Sequence, residues 1–171
     1  ESYFYLDSTP SHSYMSMLYK YPQAAFPYQL LVEENARRGR QSPEFELTDS
    51  AVFADGRYFD VFVTYAKAAP EDILIGITAV NRGSCDAVLH LLPTLWFRNT
   101  WSWGYDDSRP LLRQMCSSVI APSPSCFTLG AQHPILGNYQ LSCEAADDLL
   151  FTNNDTNLQR LFGVPNSTPY V

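Results

Sequence analysis

The sequence predicts a mainly β protein, an antiparallel two-sheet β-sandwich with short helices near the N-terminus. Two observations lead there. From Glu44 onward apolar side chains recur at alternate positions, the period of a half-buried strand. The alternating segments are joined by polar turns far shorter than the crossovers of a dozen or more residues that parallel strands require. Many short strands with few helical runs make stacked sheets the expected architecture. A length of 171 residues suits one domain, spanning 1–171, and at that size roughly 70% of the unfolded chain's surface can be buried.

Each element has its own signal. Tyr3 to Leu6 is aromatic and strand-like and stops at Asp7-Ser8-Thr9-Pro10. Thr9 and Pro10 form an N-cap and first helical position, and Tyr14, Leu18 and Tyr21 then recur at i, i+4 and i+7, which predicts a short helix ended by Pro22. A second helix is predicted from Pro27, supported by the i,i+4 pairs Glu33/Arg37 and Glu34/Arg38 and capped at Gly39. The cations Arg37, Arg38 and Arg40 belong at such a C-terminus and are read as a solvated helix end.

Beyond it, Phe59, Val61, Val63 and Tyr65 share one face of a strand over 57–66. Ile73, Ile75, Ile77 and Ala79 share one face of a strand over 72–82. A third strand is predicted over 87–98, with Pro93 marking a bulge or an edge because it has no N–H to donate. These three form an antiparallel meander. Shorter strands are predicted at Ser118 to Ala121, Cys126 to Leu129, Tyr139 to Cys143 and Leu149 to Thr152. Loops are predicted at 121–125 and from Gly130 to Gly137.

Composition excludes several functions. Eleven basic against eighteen acidic side chains give a net charge of −7, which repels phosphate backbones and anionic membranes, so no nucleic acid and no membrane partner is expected. Cys85, Cys116, Cys126 and Cys143 are widely spaced and lack C-x-x-C spacing, and only His12, His90 and His133 accompany them. No metal site and no cofactor is therefore expected. Free thiols of a reducing, cytoplasmic compartment are the expectation, with disulfides as the alternative.

Leu89 to Gly104, LHLLPTLWFRNTWSWG, contains all three tryptophans of the chain. Trp96, Phe97, Trp101 and Trp103 surround Arg98, Asn99 and Thr100. Aromatic faces stack on the C–H face of a pyranose, and a guanidinium and an amide bond its hydroxyls, so the loop can present a sugar-contacting surface. It can equally be a packed hinge, since Trp is mostly buried wherever it occurs. Arg98, Asn99, Trp101 and Trp103 are the candidate substrate-binding or domain-interface residues.

Catalytic machinery is not legible. Glycosidase chemistry needs two carboxyls facing each other across a sugar, and Glu33/Glu34, Asp106/Asp107 and Asp147/Asp148 are sequence neighbours instead. Neither a G-x-S-x-G elbow nor a phosphate-binding glycine loop occurs. Asn154-Asp155-Thr156 and Asn166-Ser167-Thr168 fit the glycosylation acceptor pattern, which matters in a secreted chain.

Longer motifs carry a resemblance. YFYLDSTPSHSYM, LYKYPQAAFPY, LVEENARRGR, RYFDVFVTYAKAAPEDILI, VNRG, LHLLPTLWFRNTWSWG and LLFTNNDTNLQRLFGVPN resemble the N-terminal portion of glycoside hydrolases similar to the mannosylglycerate hydrolases and to glycoside hydrolase family 63. The stretch from Ser108 to Leu136 matches loosely. The resemblance implies an N-terminal β-sandwich that packs against an (α/α)6 barrel of the same polypeptide. That barrel carries both catalytic carboxylates and inverts an α-glycosidic bond of a glucoside or mannoside. The sequence is expected to stop before the barrel, so no residue here inherits a catalytic role. The chain is then a non-catalytic domain that helps shape the cleft for a carbohydrate substrate; the alternative is a stand-alone carbohydrate-binding module.

Overall fold

A computed structural model of the chain describes residues 2–104, 109–115, 126–144 and 146–171. The chain divides into two compact units, Glu1–Leu91 and Leu92–Val171. It is mainly β, with two antiparallel sheets and few short helices.

The first unit holds a four-stranded meander in the order β1 (Ser2–Ser8), β2 (Tyr14–Pro22), β3 (Tyr58–Ala69) and β4 (Asp72–Asn81). Its register sets two faces. Tyr5, Met17, Val63 and Ile77 lie side by side on one face, and Tyr3, Tyr19, Val61 and Ala79 form the next row. Phe4, Leu18, Phe62 and Thr78 lie on the other. Phe59 and Val61 are buried, as are Leu47 and Val52 from the 3₁₀ turns between β2 and β3. Full burial of such side chains stabilises a fold by about 1.5–3 kcal/mol each.

The expected helix after Thr9 is a correction, because Tyr14–Pro22 is strand β2. Thr9 Oγ1 accepts hydrogen bonds from the backbone N–H groups of Ser13 and Tyr14 at 3.0 and 3.1 Å, so the side chain read as a helix cap closes a hairpin turn. His12 takes a positive φ of 54° in that turn. The i, i+4, i+7 spacing was real but competed with an equally good alternation of Met15, Met17, Tyr19 and Tyr21, which pairing on both sides of β2 selects.

Helix α1 (Tyr28–Arg38) follows Pro27 as expected. One of its expected ion pairs differs: Arg37 binds Glu34 at 2.5 Å, while Glu33 accepts from Gln29. The Asn35 side chain ties the returning chain to the helix, donating to the Leu31 and Phe45 carbonyls and accepting from the Phe45 N–H at 2.7 Å.

The expected third strand over 87–98 is absent, and residues 84–100 have no regular structure apart from a bend at 84–85. A strand exists only with a partner, and no described segment pairs with this one. Pro93 removes one donor from any ladder it could form. The meander is completed on its other side by β1 and β2.

In the second unit β5 (Leu111–Gln114), β6 (Cys126–His133) and β7 (Gly137–Glu144) form an antiparallel sheet with Ala131 buried. β6 extends the expected strand at its C-terminal end and β7 extends it at both ends, so Gly130 to His133 belongs to a strand and the loop shrinks to 134–136. His133 Nδ1 accepts from the N–H groups of Ile135 and Leu136, both at 3.1 Å, and closes that turn. β5 was not anticipated, and Leu149 to Thr152 forms no strand. Helix α2 (Leu158–Phe162) is a further addition; the Asn157 side chain caps it by accepting from the Arg160 N–H. The expected strand at Ser118 to Ala121 and the loop at 121–125 lie outside the described residues.

Candidate functional site

The aromatic part of the loop, Trp96 to Gly104, lies in the second unit. Trp101–Trp103 forms one 3₁₀ turn, and Gly104 ends it at a φ of 72°, a left-handed conformation that a side chain would strain. Upstream, the Phe97 ring tilts against the His133 imidazole with centroids 5.0 Å apart, which anchors the loop to the end of β6.

Two asparagines lock the loop to the segment before α2. Asn99 Nδ2 donates to the Asn154 carbonyl at 2.7 Å, and Asn154 Nδ2 donates back to the Phe97 carbonyl at 3.1 Å. Asn99 Oδ1 also accepts from the Ser102 N–H. Asn154 sits at a φ of 55°, which Asn tolerates better than most residues. Asn99, a candidate substrate-binding or domain-interface residue, uses both ends of its amide to hold the loop.

The cations and indoles are interleaved. The Arg98 guanidinium lies over the Trp103 ring at 5.2 Å, and that of Arg109 lies over Trp101 at 5.6 Å while donating to the Asn153 carbonyl. Trp103 is 51% exposed and Arg98 is exposed with it. Trp101 is half-buried, and its Nε1–H is buried without an acceptor. Arg98 and Trp103 therefore form an outward platform, whereas Asn99 and Trp101 form its support. Trp96, 64% exposed, adds a further aromatic surface in the same unit. Arg109 and Asn153 were not singled out from the sequence and Asn154 was read only as a glycosylation acceptor, although the N-N-D run carries the signal of a backbone-binding loop.

The first unit holds a second polar cluster that sequence reading missed. Asp60 on β3 is 4% exposed and accepts from Lys20 Nζ on β2 and from Arg82 Nε just beyond β4, both at 2.6 Å. Lys20 also lies over the Tyr58 ring at 4.5 Å. Burial pushes the Asp60 carboxyl up, but hydrogen bonds and charge from Lys20 and Arg82 outweigh it and hold the pKa below the ordinary aspartate value. An acid enclosed by aromatics in R-Y-F-D-V-F-V was the available signal, since such a carboxylate needs partners.

Glu34 is held below the usual carboxylate range by its hydrogen bond to Arg37, and Asp148 accepts from the N–H of Leu149. Asp106 and Asp107 lie outside the described residues. Among the described residues no three His, Cys, Asp or Glu side chains gather as a metal site, and Cys85, Cys126 and Cys143 are free thiols. No helix is long and apolar enough to cross a membrane among those residues.

No protein-family model matches the chain. Nor does any solved structure match it. Among curated proteins it is 38% identical over 196 residues to an uncharacterized protein of Saccharomyces cerevisiae, YMR196W. That match takes in 95% of this chain and 17% of the yeast protein, so the chain spans a small part of the length of the relative it matches.

Proposed function

We propose that the chain is a non-catalytic β domain of a larger glycoside hydrolase acting on α-linked glucosides or mannosides, and that its aromatic loop helps shape the substrate cleft against an (α/α)6 barrel of the same polypeptide. The observation that carries this is the Arg98–Trp103 platform. An exposed indole backed by a guanidinium, on a loop fixed by the reciprocal Asn99 and Asn154 bonds, is pre-organised to receive a pyranose face or a partner domain. The motif resemblance supplies the reaction class, and the length of the yeast relative is compatible with a multidomain parent.

The test separates binding from folding. In the complete polypeptide, Trp103→Ala lowers kcat/KM for an aryl α-glucoside or α-mannoside by roughly 30-fold, equivalent to about 2 kcal/mol, as truncation of a central interface aromatic does. The melting temperature of the 171-residue chain stays nearly unchanged. Unaltered turnover in that variant would remove the loop from the cleft.

A further inference from the structure

A groove of about 670 Å³ opens at one end of the four-stranded sheet, within the size range of small-molecule sites. We infer that this groove, lined by Tyr21, Gln23, Arg57, Phe59 and the Gly83–Val88 segment, is a second carbohydrate site that takes a neutral pyranoside. All of its lining residues belong to the first unit, whereas Trp96 to Gly104 belong to the second.

Its shape is fixed by a hydrogen-bonded rim. Asn81 Oδ1 accepts from Gln23 Nε2 at 2.7 Å and from the Gly83 N–H at 2.9 Å, while Asn81 Nδ2 donates to the Cys85 carbonyl at 2.8 Å. The Gln23 N–H donates to the Arg57 carbonyl at 3.0 Å, tying the two walls together. A Cβ on residue 83 would come within 3.2 Å of Asn81 Oδ1 and of both polar atoms of the Gln23 amide, so a side chain there would displace these amides by a few tenths of an ångström. A pocket held in this way loses little entropy when it binds.

Its chemistry selects the ligand class. Phe59 is buried beneath it, and Tyr21, 47% exposed, offers an aromatic surface for the apolar face of a sugar ring. Gln23 Oε1 accepts, Arg57 donates and Asp86 accepts, which matches hydroxyl groups that each do both. Arg57 makes no ion pair among the described residues, so its donors are available. One guanidinium and one carboxylate leave the groove without net charge, which favours a neutral polyol over a phosphate or a carboxylate.

Titration of the ¹⁵N-labelled 171-residue chain with methyl α-D-glucopyranoside, followed by amide shifts, tests this. Saturable shifts are expected at Gln23–Ala25 and Gly83–Val88. Tyr21→Ala should weaken them about fivefold, as loss of one aromatic contact does. Gln23→Ala should act in the same direction, which keeps the test open if Tyr21→Ala does not fold. Trp103→Ala should leave them unchanged. Inorganic phosphate should shift none of these amides. Shifts confined to Asn99–Gly104 would overturn the groove while sparing the proposed role of the loop. Phosphate shifting the groove amides, or no saturable shift there, would also overturn it.

Discussion

Asp60 is the residue on which the first unit is most exposed to single-site failure. Its carboxylate is buried on β3, and Lys20 of β2 and Arg82 just beyond β4 both depend on it. Removing one member of a buried pair leaves a charge uncompensated and costs about 3–5 kcal/mol; both cations here retain solvent, so Asp60→Ala should cost about 2–3 kcal/mol in denaturant titration. The sign with pH follows from the lowered pKa. The stabilisation is fully present above the ordinary aspartate value and is lost as pH falls through it toward the depressed folded value. The wild-type chain should lose more stability on acidification through that window than Asp60→Asn does, and equal losses would contradict the triad's role.

The two tryptophans of the 3₁₀ turn should separate by the same kind of measurement. Trp101 is half-buried beneath Arg109, so Trp101→Ala should destabilise the chain by about 3 kcal/mol. Trp103 faces outward, and Trp103→Ala should cost under about 1 kcal/mol. Equal losses would mean that both are core and that the platform does not exist.

At the scale of elements, β4 stands out. It is an edge strand reading D-I-L-I-G-I-T-A-V-N, with Ile73, Leu74, Ile75 and Ile77 exposed and a charge only at its first residue. Such an edge lacks the lysines and prolines that block edge-to-edge pairing, and the register shift of its ladder, between Lys67 and Ala69, falls on β3 at the hairpin end and leaves the rest of β4 regular. The 171-residue chain should therefore self-associate as its concentration rises, and Ile75→Lys should suppress this in light scattering without lowering the melting temperature. Self-association that persists in Ile75→Lys would locate the sticky surface elsewhere.

The elements also show what was legible in the sequence. Strands β3, β4, β6 and β7 announce themselves by alternation, β1 by its aromatic, strand-like composition, and α1 by its charged, proline-started run, because those signals are local. β2 was missed because two periods fit the same residues and only its neighbours chose between them. The third meander strand failed for the complementary reason: Val88, Leu92 and Trp96 have strand-like composition and remain exposed without a partner. For the site, the aromatic loop was visible as a cluster of residue types. The division of labour within it was not, since Asn154, 55 residues from Asn99, and Arg109, outside the aromatic run, decide which side chains support and which face out.

At the scale of the whole molecule, the chain offers a fixed aromatic platform in one unit and a polar groove in the other. The central claim is that it serves chemistry performed elsewhere in a longer polypeptide. The most direct measurement is hydrolysis of an aryl α-glucoside and an aryl α-mannoside, assayed side by side for the complete polypeptide and for the 171-residue chain. The expected result is turnover of at least one substrate by the complete polypeptide, with inversion at the anomeric carbon, and none by the chain alone. No turnover by the complete polypeptide, or turnover by the isolated chain at a comparable rate, would contradict it.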